Sequence, residues 1–257
     1  MNYKHIELIT VQGVVTLWLN RPQKRNAFDD ETILEIGHAI QSVNKMEDDA
    51  ILILRGRGEA FCAGADLSWM LASINLDADA NYAECLNLTQ CFYSLYSCNK
   101  VTIALVHGTA YGGGVGLAAA CDLAICTDDI KFSLSELRMG LVASSISPYI
   151  LKKLGESRSK ELIFTSRQFN GKQAESYGFV NRSVPTEELD SAVNEYISII
   201  RKGSASARRL GKNLVHQLAP GQITPDIIEK TAHLLAEVRI SDDAQHRMKE
   251  FLTKVSV

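Results

Sequence analysis

A chain of 257 residues with 46% hydrophobic composition is long enough to bury a substantial core, either as one large domain or as two small ones. Its formal charge of −3, from near-balanced acids and bases, supplies no global field to draw nucleic acid or an anionic membrane. Six cysteines without C-x-x-C spacing, six scattered histidines and an N-terminus, MNYKHIELIT, without a basic region before an apolar core point to reduced thiols, no bound metal, no signal peptide and a cytoplasmic protein.

Val14 to Leu19 alternates apolar and polar positions and follows a weaker run at His5 to Thr10, which predicts an antiparallel pair around Gln12 and Gly13. NRPQKRNAF, residues 20 to 28, is a polar loop. Asp29 or Asp30 can then cap a helix with Ile33, Ile36, Ile40 and Val43 at helical spacing. A buried strand is expected at 51 to 54. It leads into RGRGEAFCAGADL, from Arg55 to Leu67, a glycine-bearing loop rich in small residues that lies before a helix. A further helical pattern covers Tyr82 to Tyr96.

The most informative stretch runs from Lys100 to Glu136. Val101 to Val106 is β-branched and apolar, as a strand buried on both faces would be. Gly108 and the consecutive glycines 112, 113 and 114 follow, and they permit another molecule to approach the main chain closely. The alanine-rich run from Val115 to Cys121 predicts a buried helix. The first N–H groups of such a helix lack internal partners and would face any negative charge placed there, as in an oxyanion hole. Glycine clustering and the strand-like first third argue against a membrane helix here. Neither a GK[ST] ending nor G-x-G-x-x-G is present, so no phosphate or dinucleotide loop is expected.

Beyond Cys121, LAIC and KFSL are short strand candidates. Ser147 and Pro148 suit a helix cap and first turn that Gly155 would close. From Glu156 the pattern is helical, with an apolar interruption at Phe179 and Val180. Thr224 and Pro225 start a helix through Arg239, and Ser241 can cap the last one.

FCAGADL at 61 to 67, taken with HGTAYGGGVGLAAACDLAI at 107 to 125, resembles the paired signature of the enoyl-CoA hydratase/isomerase family, the crotonase-like proteins. NRPQKRNAF resembles that family's first CoA-contacting loop, and SELRMGL at 135 to 141 resembles the strand that carries a catalytic glutamate. The resemblance implies an α/β fold, a crotonase-like spiral of ββα turns over 1–195 followed by a C-terminal helical region over 196–257. The helical region would serve trimerisation and pocket cover, in a homotrimer or dimer of trimers. The implied partner is an acyl-CoA thioester substrate, with coenzyme A as part of it and no separate cofactor. The backbone N–H groups of Ala65 and Gly113 would hold the thioester oxygen as it becomes an enolate, Glu136 would be the general acid/base, and Arg25, Ala63, Asp66 and Leu67 would line the CoA path.

The sequence also departs from that family. Two-carboxylate hydratases carry a glutamate where this chain has Gly116. A helical glycine costs about 1 kcal/mol relative to alanine, and either room beside the acyl chain or tight helix packing would account for it. VASSISPYILKKLG at 142 to 155 most resembles the bacterial methylglutaconyl-CoA hydratases and their carboxygeranoyl-CoA relatives. Residues two apart on a strand share a face. If Glu136 faces the acyl pocket, Arg138 could therefore receive a distal carboxylate; alternatively it pairs internally or leaves the pocket where the strand ends.

The expected activity is hydration of a conjugated enoyl-CoA. The nearest rival is a Δ3,Δ2-enoyl-CoA isomerase, since moving one proton between two carbons needs one carboxylate; a thioester hydrolase has no specific support. Arg201, Lys202, Arg208, Arg209 and Lys212 could contact RNA phosphates, but a solvated helix face or a site for CoA phosphates explains them as well.

Overall fold

The computed structural model describes residues 3–47, 49–219, 225–239, 241–244 and 246–247. β1 (Ile6–Val11) and β2 (Val14–Leu19) form the expected hairpin, with Ile6 opposite Leu19 and Val11 opposite Val14. Gln12 and Gly13 turn it with φ of 48° and 76°, the two left-handed positions that a tight hairpin turn requires. A 3₁₀ turn at Pro22–Lys24 leads to α1 (Asp30–Asn44), whose first turn is capped by Asp29 accepting from the Thr32 amide. Thr32, Ile33, Ile36, Ala39, Ile40 and Val43 face the core from α1, as their spacing predicts.

β3 (Ile51–Gly56) is followed by α2 (Leu67–Ser73) and α3 (Ala78–Tyr96), then β4 (Val101–Val106), β5 (Ala110–Tyr111) and α4 (Gly113–Ala120). β6 (Leu123–Thr127) and β7 (Phe132–Ser133) come next, then α5 (Ser147–Thr165), α6 (Gly171–Ser176) and β8 (Arg182–Val184). α7 (Leu189–Lys202), α8 (Ala205–Leu218) and α9 (Pro225–Arg239) complete the named elements. The backbone divides into two compact units, residues 1–197 and 198–257. Among the described residues, all eight strands lie in the first, and the named elements of the second are helical.

One six-stranded sheet has the order β1-β2-β3-β4-β6-β8, parallel from β2 onward. A smaller layer pairs β5 with β7 and is extended by single bridges joining Phe28 to Ala65, Cys62 to Ala110 and Phe132 to Phe169. Each repeat thus places one strand in the large sheet and a short extended segment in the small layer before it enters a helix. That is the crotonase-like spiral of ββα turns. β3 and β4 are buried almost end to end, as strands covered on both faces must be.

Two local expectations need correction and one holds. Ser147 is not the cap of α5: Ile146 holds that position, and the Ser147 hydroxyl donates to the Ala143 carbonyl at 2.7 Å, while Pro148 sits in the first turn as its fixed φ favours. Gly155, with φ 66° and ψ 175°, closes the first helical piece of α5 as expected, and the chain enters a second piece directly after this kink. The apolar interruption at Phe179 and Val180 is core packing before a strand; β8 itself is Arg182–Val184.

Candidate active site

Planar trans peptides fix where the two candidate amides point. The Phe28 amide donates to the Gly64 carbonyl at 2.9 Å, and the Asp66 amide donates to the Phe28 carbonyl at 2.8 Å. Because C=O and N–H of one peptide point in opposite directions, the Ala65 N–H faces away from Phe28. At the start of α4, the Gly112 carbonyl accepts from the Gly116 amide at 3.1 Å. The Gly113 N–H therefore projects out of the helix N-terminus, where the helix supplies no acceptor. Gly112 reaches this turn with φ 49° and ψ −118°, a combination that only glycine adopts readily.

The two loops face each other, as their matching positions after strands suggest. The Tyr111 amide donates to the Cys62 carbonyl at 3.0 Å, and the Phe61 and Cys62 amides both donate to the Thr109 carbonyl at 3.1 Å. A methyl group added at Gly64 would lie 2.9 Å from the Tyr111 oxygen and 3.6 Å from the Gly113 nitrogen. One added at Gly113 would meet the Phe28 ring at 2.3 Å. Phe28 thus grips the Ala65 segment with its backbone and supports Gly113 with its ring.

β7 brings the carboxyl group to this turn. The Gly112 amide donates to the Ser133 carbonyl at 2.9 Å, and three residues later Glu136 opens a 3₁₀ turn, Glu136–Met139. Glu136 Oε1 lies 3.2 Å from the position a Gly112 Cβ would take, and its Oε2 is buried without a hydrogen-bond partner. Burial raises the Glu136 pKa above the ordinary carboxylate value, against the pull of its own backbone amide. A carboxyl group so placed can take up and release a proton beside the two amides. Cys62 also lies next to the loop, but burial pushes its thiol up to about 12, which removes it as a nucleophile near neutrality.

The expected strand at 135 to 141 is absent. Successive side chains of a 3₁₀ turn are about 120° apart, so the same-face argument for Arg138 fails; its guanidinium instead donates to the Ser166 carbonyl at 2.9 Å. Of the two accounts of Gly116, tight packing holds, because an added Cβ would lie 2.1 Å from Ile146 Cγ2 and 3.0 Å from the Phe92 ring. The glycine there is a packing requirement.

Along the expected CoA path, Arg25 has an exposed side chain and a left-handed backbone (φ 53°), and its carbonyl accepts from the Ala63 amide at 3.0 Å. Ala63 is half-buried, and Leu67 is 75% exposed at the head of α2. Asp66 differs from expectation: its side chain turns inward to cap α2 at the Ser68 amide and to pair with Arg21 at 3.0 Å. Burial opposes its ionisation, but the Ser68 amide and the Lys24 and Arg21 cations outweigh that and hold its pKa below the usual value. Nothing local in NRPQKRNAF shows that Arg21 meets an aspartate in a distant loop or that the Phe28 ring lies against Gly113. In the second unit, Arg208 donates to the Ile200 and Gly203 carbonyls at the end of α7, a helix-terminal role for one of the five clustered bases.

Comparison with known proteins agrees with this architecture. A Thermus thermophilus protein, whose name carries enoyl-CoA hydratase as a provisional activity, is 32% identical over 94% of this chain and 95% of its own. A peroxisomal Δ(3,5)-Δ(2,4)-dienoyl-CoA isomerase of Arabidopsis thaliana is 31% identical over 75% of this chain and 74% of its own. The crystal structure of an enoyl-CoA hydratase from Shewanella pealeana superposes with a TM-score of 0.94 at 29% identity, covering 98% of this chain and 94% of that one. The profile of the enoyl-CoA hydratase/isomerase family matches residues 10–257, and the chain belongs to that family.

Proposed function

We propose that the protein hydrates a conjugated enoyl-CoA thioester, with Glu136 as the single acid/base and the Ala65 and Gly113 amides as the oxyanion donors. The observation that supports this most is the convergence of those two outward N–H groups with a buried, unpaired carboxyl oxygen. As water adds to the β-carbon, Glu136 accepts its proton, and the electron pair of the double bond moves through the α-carbon to the thioester oxygen. The amides hold the resulting enolate oxygen, and the protonated Glu136 then returns a proton to the α-carbon. Arg25, Ala63 and Leu67 would flank the CoA portion. Methylglutaconyl-CoA, an intermediate of leucine breakdown, is one acyl group within this class, and a cytoplasmic homotrimer or dimer of trimers is the expected assembly.

One observation favours a second reading. The helix position where two-carboxylate hydratases carry a glutamate is closed off by Ile146 and Phe92, so it contributes no carboxyl group. Moving one proton between two carbons needs only Glu136, which is the requirement of a double-bond isomerase. A panel of enoyl-CoA thioesters, methylglutaconyl-CoA included, scored for both water addition and double-bond migration separates the readings. In either case Glu136→Gln should reduce turnover at least about a hundredfold; survival within about tenfold, roughly 1.4 kcal/mol in barrier, means that another group carries the proton.

A further inference from the structure

One guanidinium joins the caps of two helices beside the Ala65 amide. Arg21 is buried, and its Nη2 lies 2.8 Å from Asp29 Oδ2 and 3.0 Å from Asp66 Oδ2, while its Nη1 donates to the Ala27 carbonyl. Asp29 caps α1 and Asp66 caps α2. These two aspartates directly follow Phe28 and Ala65, the residues joined by the bridge that sets the direction of the Ala65 N–H. Arg21 therefore spans that bridge one residue along, across 45 residues of sequence. Asn26 fastens the same loop from its other side: its Oδ1 accepts from the Arg21 amide at 2.9 Å, and its Nδ2 donates to the Arg57 and Ala60 carbonyls at 2.8 Å.

We propose that Arg21 is a positioning residue for the reaction: by holding Asp29 and Asp66 together it keeps the Ala65 N–H aimed at the thioester oxygen. This rests on the assignment of Ala65 and Gly113 as oxyanion donors. Arg21 touches neither the substrate nor the reacting atoms. Its charge is matched by the buried Asp66 and the half-buried Asp29; with the guanidinium gone those carboxylates repel each other across the bridge, and only the more exposed Lys24, 3.6 Å from Asp66, is left to offset them there. The Phe28–Ala65 pairing loosens, and the donor loses its fixed direction. A preorganised donor works because it does not have to reorient at the moment of reaction.

The experiment uses a conjugated dienoyl-CoA as a chromophore, bound to the full-length Glu136→Gln protein so that turnover does not interfere. Polarisation of its carbonyl by the amides shifts the absorption to longer wavelength. Adding Arg21→Met should remove most of the shift at saturating ligand. In the Glu136 protein, the same change should lower kcat about tenfold or more while KM stays within about threefold. Asp66→Asn, which keeps the Oδ1 acceptor for the Ser68 amide, should act in the same way and serves as the test if Arg21→Met does not fold. A shift that persists in full in either folded variant overturns the proposal and leaves Arg21 a purely structural ion-pair partner. No shift in the Arg21-containing protein itself overturns the oxyanion assignment, and the positioning role falls with it.

Discussion

A carboxyl group that exchanges protons with a substrate has to be kept from pairing within the protein, and Glu136 meets that condition at the expense of the fold. Its buried Oε2 has no partner, and burial raises its pKa above the ordinary value of 4.5. The sign follows from linkage. Below the unfolded pKa the group is neutral in both states; as pH rises through the folded pKa, the native state must bury a charge that the unfolded chain exposes to water, and stability is lost. Glu136→Gln should therefore raise Tm near neutral pH, and the gain should vanish below that ordinary value of 4.5; a gain independent of pH would mean that the carboxyl charge is not its source. That Glu136 meets the Ala65 and Gly113 loops is legible because each sits inside a contiguous motif. For Arg138 the sequence leaves two directions open, because the direction of a side chain two residues on depends on whether the backbone is strand or 3₁₀, and SELRMGL does not fix that choice.

The spacing of apolar residues set most of the elements, including the hairpin, α1 and the helix entered at Gly113, because burial on one face or on all faces leaves a period in the sequence. Packing between elements leaves no such period. Gly116 of α4 lies against Ile146, the residue that caps α5, and nothing in either segment names the other. Gly116→Ala should cost about 1–3 kcal/mol by overpacking. Ile146→Ala should cost a similar amount by leaving a cavity, and the double substitution should cost less than the sum. Urea titration of the three variants checks this; strict additivity would mean that the two residues do not share the space.

Across the whole molecule the sequence conveyed the division between a mixed first part and a helical last part, since alternating and helical periods occupy different stretches. It did not convey the order of the sheet, which depends on pairings between distant segments. That order bears on how the protein forms. Among the described strands of the large sheet, β1 and β2 alone are joined by a tight turn; every other pair in that sheet, and every bridge in the small layer, joins segments separated by a helix or a long loop. Contacts of that kind incur loop closure before they return any stabilisation, which slows the steps that make them. The candidate site belongs wholly to this late class, since Ala65 is held by Phe28, Gly112 by Ser133, and Tyr111 by Cys62. After dilution from denaturant, helical circular dichroism should return before enzymatic turnover does; simultaneous recovery would mean that the long-range pairings form with the helices. Until the last of those pairings closes, the chain presents parallel strand edges without their neighbours, and the interval before catalysis appears is also the interval in which it is most exposed to aggregation.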